Sequence, residues 1–341
     1  MATRKIGVGV IGLGFMGRTH LAAFAAADAA GFGNRLVAVC DSDPARRQGL
    51  AASGGNLDTG ASQERLFDPA KVRGFAEPAQ LLADPEVELV SICTHTTTHV
   101  DLALAALAAG KHVLLEKPVA LDSASAQRLA DAAARSKGLC MPAMCIRFWP
   151  AWARALSAVR SAEFGAVRSA VFRRLGNRPG WNGFYADYEK SGGALFDLHV
   201  HDVDFVRACF GDPVAVSSAG SLDHVTTLFH YADGPAHVVA EGGWDHGDGW
   251  PFKMAFTIVF ERATLDYEFG RTPELALVQG GQRTALDVGP LNGYDGEVRH
   301  LLAAIASGSR ELEATVADAV AHTRLIEAER RSLASRTPQK P

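Results

Sequence analysis

A two-part architecture is the fold class this sequence predicts: an α/β doubly wound parallel sheet, then an α+β domain built on a large open antiparallel sheet. Three observations predict it. From Lys5 to Cys145, short aliphatic or β-branched runs alternate with alanine-rich amphipathic stretches, the pattern of a parallel sheet covered by helices. A glycine-rich turn, Gly12-Leu13-Gly14-Phe15-Met16-Gly17, separates the first run from the first helical stretch. After Phe148, strand-like runs recur with short turns between them, which indicates antiparallel pairing.

In the first part the strands are read at Ile6–Ile11, 36–40, 89–93, His112–Leu115 and 139–144. The helices between them fall at 17–27, 44–52, 78–82, 99–109 and 123–136, the last opening at Asp122 or Ser123 as cap. Residues 53–74 form a loop excursion with a weak strand at 72–75. Parallel strands joined in this way cross over right-handedly. The second part opens with a helix at 149–163 and continues with strands at 167–174, 214–218, 225–231, 237–244, 252–261 and 263–269. Helices at 193–210 and 295–307 interrupt or follow that sheet, and a charged amphipathic helix at 313–333 closes the chain. The expected domains are therefore 1–147 and 148–334, with 335–341 a frayed tail.

The chain has 341 residues, 48% hydrophobic and 21% charged, with a net charge of −4 and a pI near 6.3. That balance leaves no excess positive charge to neutralise a phosphate backbone, so nucleic acid is not an expected partner. No uncharged run approaches the roughly 20 apolar residues that span a bilayer, and the amino terminus runs into glycines rather than a cleavable signal. No membrane association and a cytoplasmic location are expected. Five cysteines, Cys40, Cys93, Cys140, Cys145 and Cys209, are an odd number and read as reduced thiols. None joins a Cys-x-x-Cys and His set at zinc spacing, so no metal is expected.

The glycine turn follows an apolar strand and opens a helix, the context dinucleotide binding needs. Gly12 permits the tight turn, Gly14 lets backbone approach a pyrophosphate, Gly17 lets helix and strand pack closely, and the helix N terminus faces the phosphates. Gly110-Lys111 lacks the glycine spacing and the following Ser or Thr of a P-loop. Asp41 ends the second strand, where a carboxylate accepts hydrogen bonds from ribose hydroxyls and repels a 2′-phosphate. NAD is thus the expected cofactor. Ser42, Arg46 and Arg47 leave NADP open, and Asp41 can alternatively serve only to cap its turn. Thr94-His95-Thr96-Thr97-Thr98-His99 lies at the carboxyl end of the next strand, where hydroxyls suit a ribose or diphosphate and also suit helix capping by Thr97 or Thr98. His99 reads as a structural hydrogen-bonder at the helix start.

Glu116-Lys117-Pro118 ends the strand His112–Leu115 and places a lysine at the sheet's carboxyl edge, its backbone fixed by proline. In Ser191-Gly192-Gly193-Ala194-Leu195-Phe196-Asp197-Leu198-His199-Val200-His201-Asp202-Val203-Asp204, a single helix would set Asp197, His201 and Asp204 on one face at i, i+4 and i+7, with His199 pointing elsewhere. A carboxylate one turn from an imidazole fixes its tautomer and raises its basicity, as a general base requires. Metal ligation by the same Asp-x-x-x-His lacks an evident third ligand.

The ordered set GLGFMG, CDSD, ICTHTTTH, GKHVLLEKP and SGGALFDLHVHDVD resembles the glucose-fructose oxidoreductase, inositol dehydrogenase and MocA (Gfo/Idh/MocA) family over nearly the whole chain. The resemblance implies a Rossmann domain, an open-sheet domain whose face often serves oligomerisation as a homodimer or homotetramer, and a catalytic group of Lys117, Asp197 and His201. The expected cofactor contacts are Gly12, Gly14, Phe15, Met16, Gly17, Asp41, Ser42, Arg46, Thr94, Thr96, His99, Glu116 and Lys117. The implied reaction is reversible oxidation of a secondary alcohol on a sugar, polyol or cyclitol. Arg147, Trp149, Trp181, Asn182 and Tyr294 join Lys117, Asp197 and His201 as candidate substrate contacts, with ordinary packing or surface roles as the alternative. His95 stands where the family often has proline, and His199 where it often has glycine. Two further classes stay open: a redox-neutral NAD-dependent glycosidase, for which His246, Asp245 and Tyr185 are only dispersed acid–base candidates, and a non-catalytic dinucleotide-binding regulator.

Overall fold

The computed structural model describes residues 4–50, 65–180 and 183–341. They divide into two compact units, neither contiguous in sequence. The first holds the described residues up to Ala120, Ala124–Cys145 and Asn292–Val320; the second holds Leu121–Ser123, Ile146–Leu291 and Ala321–Pro341. The sequence reading keeps 148–334 together. The structure returns 292–320 to the first unit.

The first unit runs β1 (Ile6–Ile11), α1 (Phe15–Ala29), β2 (Asn34–Cys40), α2 (Pro44–Arg47), β3 (Arg73–Phe75), α3 (Pro78–Ala83), β4 (Leu89–Ile92), α4 (His99–Ala108), β5 (His112–Leu115), α5 (Ser123–Arg135) and β6 (Cys140–Pro142). Its six strands lie in the order β3-β2-β1-β4-β5-β6, all parallel. β1, β4 and most of β5 are buried throughout, which is why they read as unbroken apolar runs. Strand order reverses between β1 and β4, and in such sheets ligands bind beyond the carboxyl ends at that reversal. The glycine turn after β1 and Thr94 after β4 both sit there.

In the second unit α6 (Pro150–Arg160) precedes β7 (Val167–Leu175) and three short helices, α7 (Tyr188–Ser191), α8 (Gly193–Asp197) and α9 (Val200–Phe210). Then follow β8 (Ala215–Gly220), β9 (His224–His230), β10 (His237–Gly243), β11 (Lys253–Phe260), β12 (Thr264–Glu268), β13 (Leu275–Gln279) and β14 (Gln282–Leu286). The eight strands lie in the order β14-β13-β12-β11-β7-β10-β9-β8. Pairing is antiparallel except between β7 and β10. That exception follows from the connection: the helices carry the chain across from β7 to the far edge, and β9 and β10 fold back by hairpins until β10 meets β7. Trp152 of α6 is fully buried and packs on Phe172, Phe205, Phe256 and Tyr267, tying helix layer to sheet.

Finally α10 (Gly293–Ser307) packs on α1, and α11 (Val316–Ser335) begins in the core of the first unit through Val316, Ala319 and Val320. The tail read as frayed is pinned: Val216 and Gln339 exchange backbone hydrogen bonds of 2.8 and 2.9 Å. No helix among the described residues is long and apolar enough to cross a membrane.

Candidate active site

Gly12 has φ +87°, in the left-handed region that favours glycine. A Cβ at Gly17 would stand 1.9 Å from the Gly12 carbonyl oxygen, so helix and turn meet only because that carbon is missing. A Cβ at Gly14 would meet nothing within 4 Å, and Gly14 caps α1 without any side-chain bond to its first amides. This open helix N terminus suits an anion. Beside it lies a pocket of about 320 Å³ lined by Gly12, Gly14, Asp41, Ser42, Arg46, Thr94 and His95 among others. The Asp41 carboxylate accepts the Leu13 N–H at 2.7 Å and the Asp43 N–H at 2.9 Å, so it braces the glycine turn as well as capping its own. Arg46 stands 3.6 Å from Asp41. The arrangement fits a dinucleotide.

Other members of the expected cofactor set are placed differently. Phe15 and Met16 are half-buried in the first turn of α1, and Thr96 is buried in a 3-10 turn, Thr96–Thr98. Thr98 caps α4 without a side-chain bond to its amides; its hydroxyl donates to the His95 carbonyl at 2.8 Å instead. His99 is 1% exposed and bonds the carbonyls of Pro118 at 2.8 Å and Thr94 at 3.0 Å. It joins the loops after β4 and β5 and does not line the pocket.

Glu116 is buried too. It accepts from His20 Nε2 at 2.9 Å and from the Lys117 N–H at 3.0 Å, while His20 Nδ1 meets Ser91 Oγ at 2.7 Å. Behind them stands Glu297 of α10, 0% exposed, its Oε1 3.6 Å from His20 Nε2 and neither oxygen hydrogen-bonded among the described residues. Burial pushes the Glu297 carboxyl well above the usual range, with Glu116 adding to the shift and His20 opposing it. Burial also pushes Glu116 upward, but its bond to His20, the charges of His20 and Lys117 and the Lys117 N–H together outweigh this and leave it lowered. A raised carboxyl keeps its proton in the folded state after the unfolded chain has lost it, so it costs stability increasingly as pH rises above about 4.3. Glu297→Gln is therefore expected to match the parent near pH 4 and to be more stable at pH 7 and above, as read from urea midpoints. Lys117 itself is half-buried at the strand end, with a cis bond to Pro118.

The expected single helix at 193–210 is two. The His199 N–H reaches back five residues to the Ala194 carbonyl at 2.8 Å, and the Leu198 N–H shares that acceptor at 3.0 Å, so one turn is widened. Asp197 ends α8, His201 lies in the first turn of α9, and both are half-buried. Asp204 does not join them. Its carboxylate takes Arg147 Nε at 2.8 Å and Nη2 at 2.6 Å, and His322 Nδ1 at 3.2 Å, all buried. Burial pushes the Asp204 carboxyl up, yet Arg147 and His322 outweigh it and hold it well below the usual range. Arg147, expected as a substrate contact, is thus a partner of Asp204. His199 is buried 3.4 Å from Glu329 of α11, and Asp202 accepts from Arg174 at 2.8 and 3.1 Å.

Of the remaining candidates, Trp149 caps α6 and packs edge-on against Phe269, and Tyr294 is half-buried in the first turn of α10. Trp181 and Asn182 lie outside the described residues. Asp245 and His246 are not dispersed: with His224 they form one group. Tyr185 packs edge-on against Trp244.

Residues 6–144 match the family model described as "Oxidoreductase family, NAD-binding Rossmann fold", and residues 152–266 match the GFO/IDH/MocA C-terminal domain. The chain belongs to the GFO/IDH/MocA oxidoreductase family. An uncharacterized oxidoreductase of Rhizobium meliloti, ORF334, is 37% identical over 156 residues, 45% of this chain and 46% of that protein. Inositol 2-dehydrogenase of Rhizobium meliloti strain 1021 is 28% identical over 248 residues, 68% of this chain and 67% of that one. The chain thus spans about half the length of the former relative. A levoglucosan dehydrogenase solved with NADH and levoglucosan superposes with a TM-score of 0.83 over 99% of both chains at 21% identity, which shows the fold.

Proposed function

We propose that the chain is an NAD-dependent dehydrogenase interconverting a secondary alcohol and a carbonyl on a sugar, polyol or cyclitol. The observation that carries this reading is which polar groups keep some exposure. Glu116, His99, His199, Asp202 and Asp204 are buried, whereas Lys117, Asp197 and His201 remain half-exposed. NAD, when bound, accepts or returns the hydride. Gly14 leaves room for its diphosphate at the N terminus of α1, Gly12 and Gly17 allow the close turn beneath it, and Asp41 accepts from the adenosine ribose. His201 takes the hydroxyl proton with Asp197 orienting the imidazole, and Lys117 serves as a hydrogen-bond donor to an oxygen that gains negative charge. The relatives' names support the substrate class: inositol for one, levoglucosan for the other.

Incubating a panel of sugars, polyols and cyclitols with stoichiometric NAD is expected to give free NADH and an equal amount of ketone or lactone. Release of an aglycone with catalytic NAD and no net NADH would overturn the proposal in favour of the glycosidase. Asp41 sets the preference for NAD over NADP, since a carboxylate facing a 2′-phosphate is unfavourable. Asp41→Ser is expected to raise the ratio of NADP to NAD affinity about tenfold, one pKa-unit equivalent of about 1.4 kcal/mol. Tighter NADP than NAD binding by the unmodified protein would remove this role. Homodimer or homotetramer formation through the eight-stranded sheet belongs to the same reading, and a monomer at micromolar concentration in sedimentation would contradict it.

A further inference from the structure

Successive residues of a strand face opposite sides of a sheet. In β10 a Cβ on Gly242 would strike the His199 ring, which lies between α8 and α9, whereas a Cβ on Gly243 would strike the His224 ring at 2.7 Å from Nδ1. His224 therefore lies on the side away from those helices, across from Gly243 in the β9–β10 register. The missing side chain at Gly243 is what lets its ring lie over the neighbouring strand. Asp245 and His246 follow directly from the end of β10.

We propose that His224, Asp245 and His246 form a binding site for one divalent transition-metal ion of the zinc class, on the sheet face opposite Asp197 and His201. One donor atom from each residue lies within 4.8 Å of the others. His224 Nδ1 and Asp245 Oδ1 are 2.7 Å apart and share a proton, whose place the cation takes. His246 supplies the third donor: its Nε2 is shielded from water and has no hydrogen-bond partner among the described residues. Its ring is held by stacking on Trp250, centroids 4.5 Å apart and planes 8° apart.

The surroundings fit coordination. His224 Nε2 faces Glu241 Oε1 at 3.3 Å, and Arg173 Nε pairs with Glu241 Oε2 at 3.0 Å. A ligating histidine ordinarily donates its other ring N–H to a carboxylate in this manner, which fixes tautomer and ring orientation. Asn177 bridges the backbone of Asp245 and so anchors the loop that carries two of the donors. At zinc–nitrogen distances of about 2.0–2.1 Å, tetrahedral donors stand about 3.4 Å apart, so modest side-chain closure completes the site. The Asp245 side chain is 49% exposed, which leaves a fourth position to water. Two imidazoles with one carboxylate suit zinc better than calcium or magnesium, which take oxygen ligands.

Titration of chelator-treated full-length protein with Zn²⁺ is expected to show one ion per chain, and Co²⁺ to give the visible absorption of low-coordinate nitrogen–oxygen ligation. His246→Ala and Asp245→Asn should each weaken Zn²⁺ binding at least about 100-fold, and Glu241→Gln about 10- to 100-fold. Glu241→Gln changes a half-exposed partner and keeps the test decisive should a ligand variant misfold. Glu297→Gln should leave binding unchanged, which separates this site from the buried His20, Glu116 and Glu297 group. Absence of Zn²⁺ binding at micromolar concentration, or binding that the three site variants leave intact, would overturn the proposal.

Discussion

His201→Ala is expected to lower turnover on an accepted substrate by about two to four powers of ten while leaving NAD affinity nearly unchanged. Of the two imidazoles in the α8–α9 segment only that of His201 is partly exposed, and the glycine turn and Asp41 belong to other elements. Lys117→Met and Asp197→Asn should fall in the same range. Because Asp197 is proposed to act through His201, combining those two substitutions should cost far less than the product of their single losses. His199→Ala should spare the chemistry and reduce stability, since its ring is buried against Gly242 and beside Glu329. Near-normal turnover by His201→Ala across the pH range would dismiss it as the general base.

The second large effect is on folding. Arg147→Met removes both guanidinium bonds from a carboxylate that is 1% exposed, and stranding such a charge costs about 3–5 kcal/mol. Denaturant midpoints at pH 7 should show that loss. Adding Asp204→Leu should restore much of it, because a buried pair replaced by apolar groups is often near neutral. The sign with pH follows from the lowered Asp204 carboxyl. Its stabilisation is complete above the ordinary aspartate value of about 3.9 and is lost as pH falls below that, so the gap between parent and Arg147→Met should narrow in acid.

The parallel sheet was legible because its strands are buried on both sides, and buried strands leave unbroken aliphatic runs. The hairpin of β13 and β14 was not, although Gly280-Gly281 marks its turn: β14 is Gln-Arg-Thr-Ala-Leu, almost wholly exposed and without alternation. The β7–β10 pairing depends on where the helices deliver the chain, which no local pattern encodes. At the candidate site, residue types on loops at strand ends were readable because chemistry and spacing coincide there. Partners distant in sequence were not. Nothing near Asp204 announces Arg147 or His322, and the widened turn at Leu198–His199 breaks the regular spacing that placed Asp204 beside His201. One signal was available. Glu297 lies on the same helical face as Leu301 and Ala304, and a carboxylate on an apolar face calls for a buried partner.

Asn292–Val320 complete the unit that begins at the amino terminus, and this orders the protein's own synthesis. A ribosome that has released the first 145 residues has supplied all six parallel strands but not α10, so α1 emerges with its partner still unmade. Glu297, which stands behind His20 and Glu116, arrives about 150 residues later. At roughly 5–20 residues per second, that interval is on the order of ten seconds or more, long enough for the apolar side of α1 to need a temporary guardian. Cutting the gene at the apparent boundary near residue 147 would make that exposure permanent, so the nucleotide-binding half should be built for expression by joining 292–320 to it.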